Sequence, residues 1–442
     1  MTKITFIGGG GRVSTTAAAH IAKYHESKDL DLVLYDTDYQ AAEDSLRIVK
    51  RGAEFEGTTP NVQTVRTIEA ALQDSDFILY CAQNPGSGKP PYNLNQTLGN
   101  IDAMLDLIRQ ARTLAKPDFR IINYANPTDF LGMIVAAQMP EVEMITLCTG
   151  GEEFKQNMLR VLGVPAAEED RLFIQQVGGN HYGFITQLEL DGKDVLPQLK
   201  NMNFEWRKMK GLRHGDNYDV ARILSLFRAS NLLTIPSGHV AYFHGVADNP
   251  GHGPDHGHFR PLKSDMVERC LSDDISREYY WDLMDSWATR GVALTVMAYL
   301  GLEKGKRLPL QMPNNGFIDG LDDRAFVESW GTIENGTFTR FKADIPPLIK
   351  HLVIHNNWAN FLMAQAFAEK NYEKLVQSMM LRGDRTNFRF SIPSMRMIIK
   401  DKWHLDDDLE DIYSRDIFDK HPDLEFEYME FEEKVLLHPS DQ

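Results

Sequence analysis

The chain has 442 residues, 43% of them hydrophobic, a length for two or three domains and an ordinary globular composition. Its 63 acidic residues outnumber its 47 basic ones, giving a formal charge of −16. Such a surface repels nucleic-acid phosphates and anionic lipid, so neither nucleic acid nor membrane is an expected partner. No apolar run approaches the ~20 residues that cross a bilayer, and Met1-Thr2-Lys3 leads into a strand with no signal-peptide shape. Cys81, Cys148 and Cys270 are too scattered for a disulfide framework. A reducing, cytoplasmic location is expected.

In chain order, the apolar run Ile4-Thr5-Phe6-Ile7 meets Gly8-Gly9-Gly10-Gly11-Arg12-Val13, a helix is predicted from Ser14 to Tyr24, and Leu32-Val33-Leu34-Tyr35 ends at Asp36. This is the order of a dinucleotide-binding βαβ unit. Gly8 permits the tight turn, Gly10 lets the backbone approach a pyrophosphate, and the amides that open the helix face its negative charge. Asp36 accepts hydrogen bonds from the adenosine ribose, and with no Arg or Lys beside it favours NAD over NADP. Val13 stands where the usual fingerprint has its third glycine.

Further along, a helix is predicted over Asp38 to Arg51, a short strand over Val62 to Val65, a helical turn over Ile68 to Leu72 and a strand over Phe77 to Cys81. A helix from Leu98 to Ala115, a strand from Arg120 to Tyr124, a helix from Phe130 to Gln138 and a strand from Met144 to Cys148 complete the alternation. This predicts an α/β fold: an amino-terminal Rossmann-type, doubly wound parallel sheet with its ligands beyond the carboxyl ends of the strands. Gln83, Asn84, Asn126 and Cys148 all fall at such ends and are candidates for a shared cleft. The expected cofactor-binding set is Gly8, Gly10, Gly11, Arg12, Val13, Ser14, Asp36, Gln83, Asn84 and Asn126.

Beyond His181 the pattern loosens, with a strand over Ile185 to Leu190 and helical segments over Tyr218 to Leu233, Tyr279 to Leu300 and Val353 to Lys370. Two domains are expected, a NAD-binding domain over 1–180 and a carboxy-terminal mixed α+β domain over 181–442 for substrate, metal and oligomerisation. Gly178-Gly179-Asn180-His181 follows the apolar stretch Leu172 to Val177, so His181 and Cys148 are placed to face one cleft. A thiolate and an imidazole can hold a divalent ion and leave its other positions to substrate oxygens; the alternative is a buried cysteine and a hydrogen-bonded core histidine. The histidines of Gly251-His252-Gly253-Pro254-Asp255-His256-Gly257-His258, with His244, read as a solvated loop, because nothing holds their imidazoles on a rigid element. Glu152-Glu153 suits a helix amino terminus.

Taken together, Ile7-Gly8-Gly9-Gly10, Asn123-Tyr124-Ala125-Asn126-Pro127, Leu147-Cys148, Gly179-Asn180-His181, Ile235-Pro236 and Pro313-Asn314-Asn315-Gly316 resemble the NAD-dependent family 4 glycoside hydrolases. That group includes 6-phospho-glucosidases, α-galactosidases and α-galacturonidases. The resemblance implies cleavage of a small glycoside by oxidation at carbon 3, elimination, water addition and re-reduction. It is a route that departs from two-carboxylate hydrolysis. It further implies NAD as cofactor, a divalent metal such as manganese on Cys148 and His181, and Asn126 and Asn180 beside substrate and cofactor. The expected assembly is a homodimer or homotetramer. In the substrate loop Asn84-Pro85-Gly86-Ser87-Gly88-Lys89-Pro90-Pro91 lacks the family's longer glycine-rich segment, and Lys89 stands alone where the phospho-glucosidases carry an arginine for the sugar phosphate. Lys89 is thus the third expected substrate-binding residue, and a 6-phosphate is disfavoured. The family's catalytic tyrosine position holds His239, as in the galacturonidase branch, so either His239 or Tyr242 is expected to take the carbon 2 proton. Two other readings remain open: a dehydrogenase of a sugar or 2-hydroxy acid, and a non-catalytic NAD-binding protein.

Overall fold

The computed structural model describes residues 1–82, 94–202, 214–235, 240, 264–284, 287–382 and 403. Met1–Asn387 form one compact unit and Phe388–Gln442 a second, of which Trp403 alone is described. In the first unit, strands β1 (Thr2–Ile7), β2 (Leu30–Tyr35), β3 (Asn61–Thr64), β4 (Phe77–Tyr80), β5 (Arg120–Asn123) and β6 (Met144–Thr146) alternate with helices. These are α1 (Arg12–Ala22), α2 (Tyr39–Glu56), α3 (Ile68–Leu72), α4 (Leu94–Leu114) and α5 (Thr128–Gln138). The six strands are parallel and lie in the order β3-β2-β1-β4-β5-β6. The change of direction about β1 is the doubly wound arrangement, and it leaves a crevice beyond the carboxyl ends of β1 and β4.

The sheet does not stop at β6. After α6 (Gly150–Leu162), strands β7 (Leu172–Gly179), β8 (Tyr182–Leu190) and β9 (Lys193–Asp194) form an antiparallel meander. Helices α7 (Leu196–Asn201), α8 (His214–Ser230), α9 (Ser264–Cys270), α10 (Arg277–Met284) and α11 (Trp287–Tyr299) follow. Strands β10 (Arg307–Pro313), β11 (Phe326–Glu334) and β12 (Thr337–Arg340) then return, and α12 (Pro347–Glu369) and α13 (Tyr372–Arg382) close the described chain. Strand β10 pairs with β6 through Gln311 and Thr146, and β11 pairs with β7 through Glu328 and Gly178. The result is one 12-stranded sheet among the described residues.

The α/β class and the Rossmann-type parallel half match the expectation. Strands β10 to β12 were not anticipated, since Pro309, Gln311 and Gly331 interrupt the apolar alternation by which a strand is recognised. The segment expected as one helix from Tyr279 to Leu300 contains two helices, α10 and α11.

The packing of distant elements brings the strand ends together. Ile4, Phe6, Leu32 and Leu34 from the first strands share a core with Ile48 of α2 and Tyr280, Val296 and Met297 of the late helices. Each such buried side chain contributes roughly 1.5–3 kcal/mol. Tyr280 donates its hydroxyl to Ile48 O at 2.8 Å, and a Cβ on Gly52 would be 2.6 Å from Tyr280 Oη. On the other side, Gly132 of α5 lets the ring of Phe326 approach, where a Cβ would fall 2.4 Å away.

Candidate active site

The glycine turn is packed so closely against its neighbours that no side chain fits at Gly8 or Gly10. Gly8 has φ 83, and a Cβ there would sit 2.7 Å from Ala82 N. At Gly10 a Cβ would meet Ala41 Cβ at 2.5 Å and Asp36 Oδ2 at 3.0 Å. Gly11 is the N-cap of α1 and offers no side chain, so the first-turn amides from Arg12 to Ser14 stand at a helix end without a side-chain cap. Val13 is buried in the core, which explains why a side chain is tolerated there: it points away from the turn and leaves its amide as its contribution. Asp36 closes the arrangement. Its Oδ2 accepts from Gly10 N at 2.9 Å and its Oδ1 from Asp38 N at 3.0 Å, and each oxygen keeps a lone pair for a further donor. These residues fit a dinucleotide: a turn without side chains, helix amides left uncapped by a side chain and a fixed acid.

At the end of β5, Asn123 shapes the next loop by accepting from Ala125 N at 3.0 Å and donating to Ala125 O and Thr128 O at 3.1 and 3.3 Å. Asn126 follows, its carbonyl accepting from Asn100 Nδ2 at 2.7 Å, and the Asn126–Pro127 peptide is cis. Two residues past β6 stands Cys148. Across from it the β7–β8 hairpin turns through Asn180 and His181, with Gly179 paired to Tyr182. His181 has φ 109, a conformation that L side chains avoid at a cost on the order of 1–3 kcal/mol and that concentrates at functional positions. The turn brings His181 Nε2 to 3.2 Å from Cys148 Sγ. Burial pushes the Cys148 thiol up to about 12, the nearby Glu328 carboxylate adds to this, and the Gly150 and Thr149 amides oppose it.

Behind this pair lies a polar network within the sheet. Gln311 of β10 accepts from Thr128 Oγ1 at 2.9 Å and Thr146 Oγ1 at 2.7 Å, and donates to Asn180 Oδ1 at 3.2 Å and Glu328 Oε2 at 2.7 Å. Glu328 also accepts from Gln176 Nε2 at 2.6 Å, and Gln176 accepts from Trp330 Nε1 at 3.2 Å. Asn180 donates its backbone amide to Asp129 Oδ2 at 3.1 Å. Glu328 is 2% exposed and has no ion pair among the described residues; burial raises its carboxyl to about 7, against the two amide donors that lower it. A thiol and an imidazole in front of the buried Glu328 carboxyl suit a divalent cation. No metal-holding cluster of three or more His, Cys, Asp or Glu occurs among the described residues, which offer Cys148 and His181 as a pair of donors.

The structure thus brings together Cys148, His181 and Asn180, and places Gly8 to Ser14 with Asp36 beside one another at the same carboxyl edge of the sheet as Asn126. Gln83, Asn84, Lys89, His239 and Tyr242 lie outside the described residues, as do His244 and the histidines from His252 to His258. The chain approaches position 236 from a telling place. Ile235 donates to Gly183 O at 3.1 Å, and its Cδ1 would lie 3.7 Å from a Cβ on Gly150 and 3.2 Å from one on Gly183, two residues past Cys148 and His181 respectively. Sequence reasoning missed Asp129, Gln311 and Glu328. The available signal was a polar residue inside an apolar strand, at Gln311 and Glu328.

The family 4 glycosyl hydrolase profile matches residues 3–89, and that of the family 4 glycosyl hydrolase C-terminal domain matches residues 176–382. The chain belongs to this family. The maltose-6'-phosphate glucosidase of Bacillus subtilis (strain 168) is 24% identical over 72% of this chain and 70% of its own length. The α-galactosidase of the same organism is 23% identical over 55% of this chain and 59% of its own. Among solved structures, a 6-phospho-alpha-glucosidase from gut microorganisms in complex with NAD and Mn2+ superposes with a TM-score of 0.70 at 18% identity, covering 86% of this chain and 93% of that one. No helix among the described residues is long and apolar enough to cross a membrane.

Proposed function

We propose that this chain cleaves a small glycoside by oxidation at carbon 3 of the sugar, elimination of the aglycone, addition of water and re-reduction, using NAD and a divalent metal, manganese being the expected ion. The observation that carries this reading is the approach of Cys148 Sγ and His181 Nε2 to 3.2 Å at the sheet edge that also bears the glycine turn and Asp36.

Held by the glycine turn and Asp36, NAD would supply reversible hydride transfer at carbon 3, the chemistry that acidifies the carbon 2 proton. The metal supplies Lewis acidity toward the sugar oxygens, with Cys148 and His181 as its protein ligands. The chain's own residues do the rest. Gly8, Gly10, Gly11 and the amides of Arg12, Val13 and Ser14 receive the pyrophosphate, and Asp36 the adenosine ribose. Asn126, with Gln83 and Asn84 from the sequence, is assigned to the cofactor as well. Asn180 faces the sugar with an amide whose oxygen is already held by Gln311, so its nitrogen is the group left to donate. Lys89 takes a substrate oxygen. His239 or Tyr242 removes the carbon 2 proton, on the segment that leaves Ile235 beside the ligand pair.

A screen of nitrophenyl glycosides and glycuronides with NAD and manganese tests the reading. Hydrolysis that requires both additions, without net formation of NADH, is expected. Hydrolysis indifferent to removal of NAD and to chelation of metal would contradict it.

A further inference from the structure

The adenosine end of the cradle carries a cation as well as an acid. Strands β2 and β3 are parallel with Leu34 opposite Thr64, and Val65 N donates to Leu34 O at 3.2 Å. Asp36 and Arg66 each lie two residues on from this pair, just past the ends of the two adjacent strands. Arg66 is not a loose surface arm. Its guanidinium carbon lies 3.7 Å from the centre of the Tyr39 ring, and Tyr39 is the first residue of α2, three past Asp36. The ring is itself anchored: Tyr39 Oη lies 3.2 Å from Thr64 Oγ1, and the Thr64 hydroxyl donates to Glu43. Hydrogen bonds from Thr64 and from Tyr39 to the Glu43 carboxyl hold it below its ordinary range, and the charge of Arg66 adds to the effect. Arg66 is exposed and makes no salt bridge among the described residues, Glu43 being the acid that feels its charge.

In cradles of this type an acid at the end of the second strand takes the ribose 2′-hydroxyl, whereas a nearby arginine accommodates a 2′-phosphate. This chain has both. Resting on the dinucleotide reading above, we propose that Arg66, held on Tyr39, is a second determinant of cofactor choice: Asp36 alone excludes the 2′-phosphate, and Arg66 is positioned to bind it once that carboxylate is gone. The carboxylate repels a 2′-phosphate at close range, while a stacked, preorganised guanidinium forms charge-assisted hydrogen bonds with one.

The test is calorimetric binding of NAD and of NADP to the full chain at low ionic strength, where such contacts are least screened. Wild type, Asp36→Ala, Arg66→Gln, Arg66→Lys and Asp36→Ala/Arg66→Gln are compared. Asp36→Ala is expected to shift the ratio of the two dissociation constants toward NADP by about tenfold or more, a range set by charge-assisted hydrogen bonds. Adding Arg66→Gln should return most of that shift, and Arg66→Lys should retain part of it because the charge remains without the planar stack. Arg66 is exposed and Asp36 half-buried with Gly10 N on its carboxylate, so thermal melting of each variant, together with retained NAD binding, checks that the turn still folds. An equal ratio in Asp36→Ala and in the double variant would overturn the role of Arg66 while leaving dinucleotide binding intact. A wild-type chain that binds neither nucleotide would remove the dinucleotide reading, and this inference with it.

Discussion

Asp36 reaches Gly10 across 26 residues and Asp38 caps α2 through amides two and three residues on, whereas Gln311 reaches Asn180, Thr146 and Thr128 across 131, 165 and 183 residues. The first βα units thus orient their polar groups with near neighbours. The returning strands β10 and β11 instead deliver buried polar groups to partners elsewhere in the chain. A local arrangement leaves its mark in the sequence and can be altered one contact at a time. A remote one exists only when the sheet has closed, so damage to it spreads to every element it joins.

The largest test of that contrast falls on the pair that spans both kinds of region. Cys148→Ser and His181→Ala are each expected to lower turnover by at least ~10²-fold together with bound manganese, since loss of supporting groups alone costs 10–100-fold. NAD affinity should stay within a few fold, because the glycine turn and Asp36 are set locally. Metal analysis and calorimetry of the purified variants check both halves.

Next in size is Gln311→Glu. It puts a second carboxylate against Glu328, 2.7 Å from the present donor, and removes the donor to Asn180. A buried charge without a partner costs roughly 3–5 kcal/mol, read as a fall in the denaturant midpoint. Adding Glu328→Gln restores one donor and one carboxylate to the pair and should recover most of the loss, a coupling that a double-mutant cycle measures. Additive losses would mean that the two side chains act independently.

Glu328 also gives the interior a pH dependence. Its carboxyl is raised by burial to about 7, so its contribution to stability is full below the ordinary carboxylate value and is lost as pH rises toward about 7. The loss is on the order of 3 kcal/mol. Denaturation of the metal-free chain across that window should show the decline, and Glu328→Gln should flatten it.

The smallest expected effect belongs to the local region. Asp38 Oδ1 accepts from Gln40 N at 3.1 Å and Ala41 N at 3.2 Å, and Asp38→Ala should cost about 1 kcal/mol with no change at the Cys148–His181 pair.

These differences in reach explain what the sequence made legible. The turn from Gly8 to Gly11, Asp36 and the run of parallel strands follow from patterns within a few residues, and α3 from Ile68 to Leu72 was delimited without error. Cys148 and His181 were readable as a pair because each follows an apolar strand, two residues past its end. Gln311, Glu328 and Asp129 were not, since a glutamine inside Leu308-Pro309-Leu310-Gln311-Met312 has no meaning until β10 lies against β6. Arg66 escaped notice for the same reason: it is 30 residues beyond Asp36 in the chain, and only the pairing of β2 with β3 makes them neighbours.

The central claim is that the sugar loses and regains a proton at carbon 2 on a residue of this chain. Hydrolysis of an aryl glycoside in deuterated water, with NAD and manganese present and the product examined by NMR, tests it most directly. Deuterium at carbon 2 with no accumulation of NADH is the predicted result, and its loss together with turnover in either His239→Ala or Tyr242→Phe identifies the base. Turnover that leaves carbon 2 fully protonated, as direct displacement would, contradicts the account.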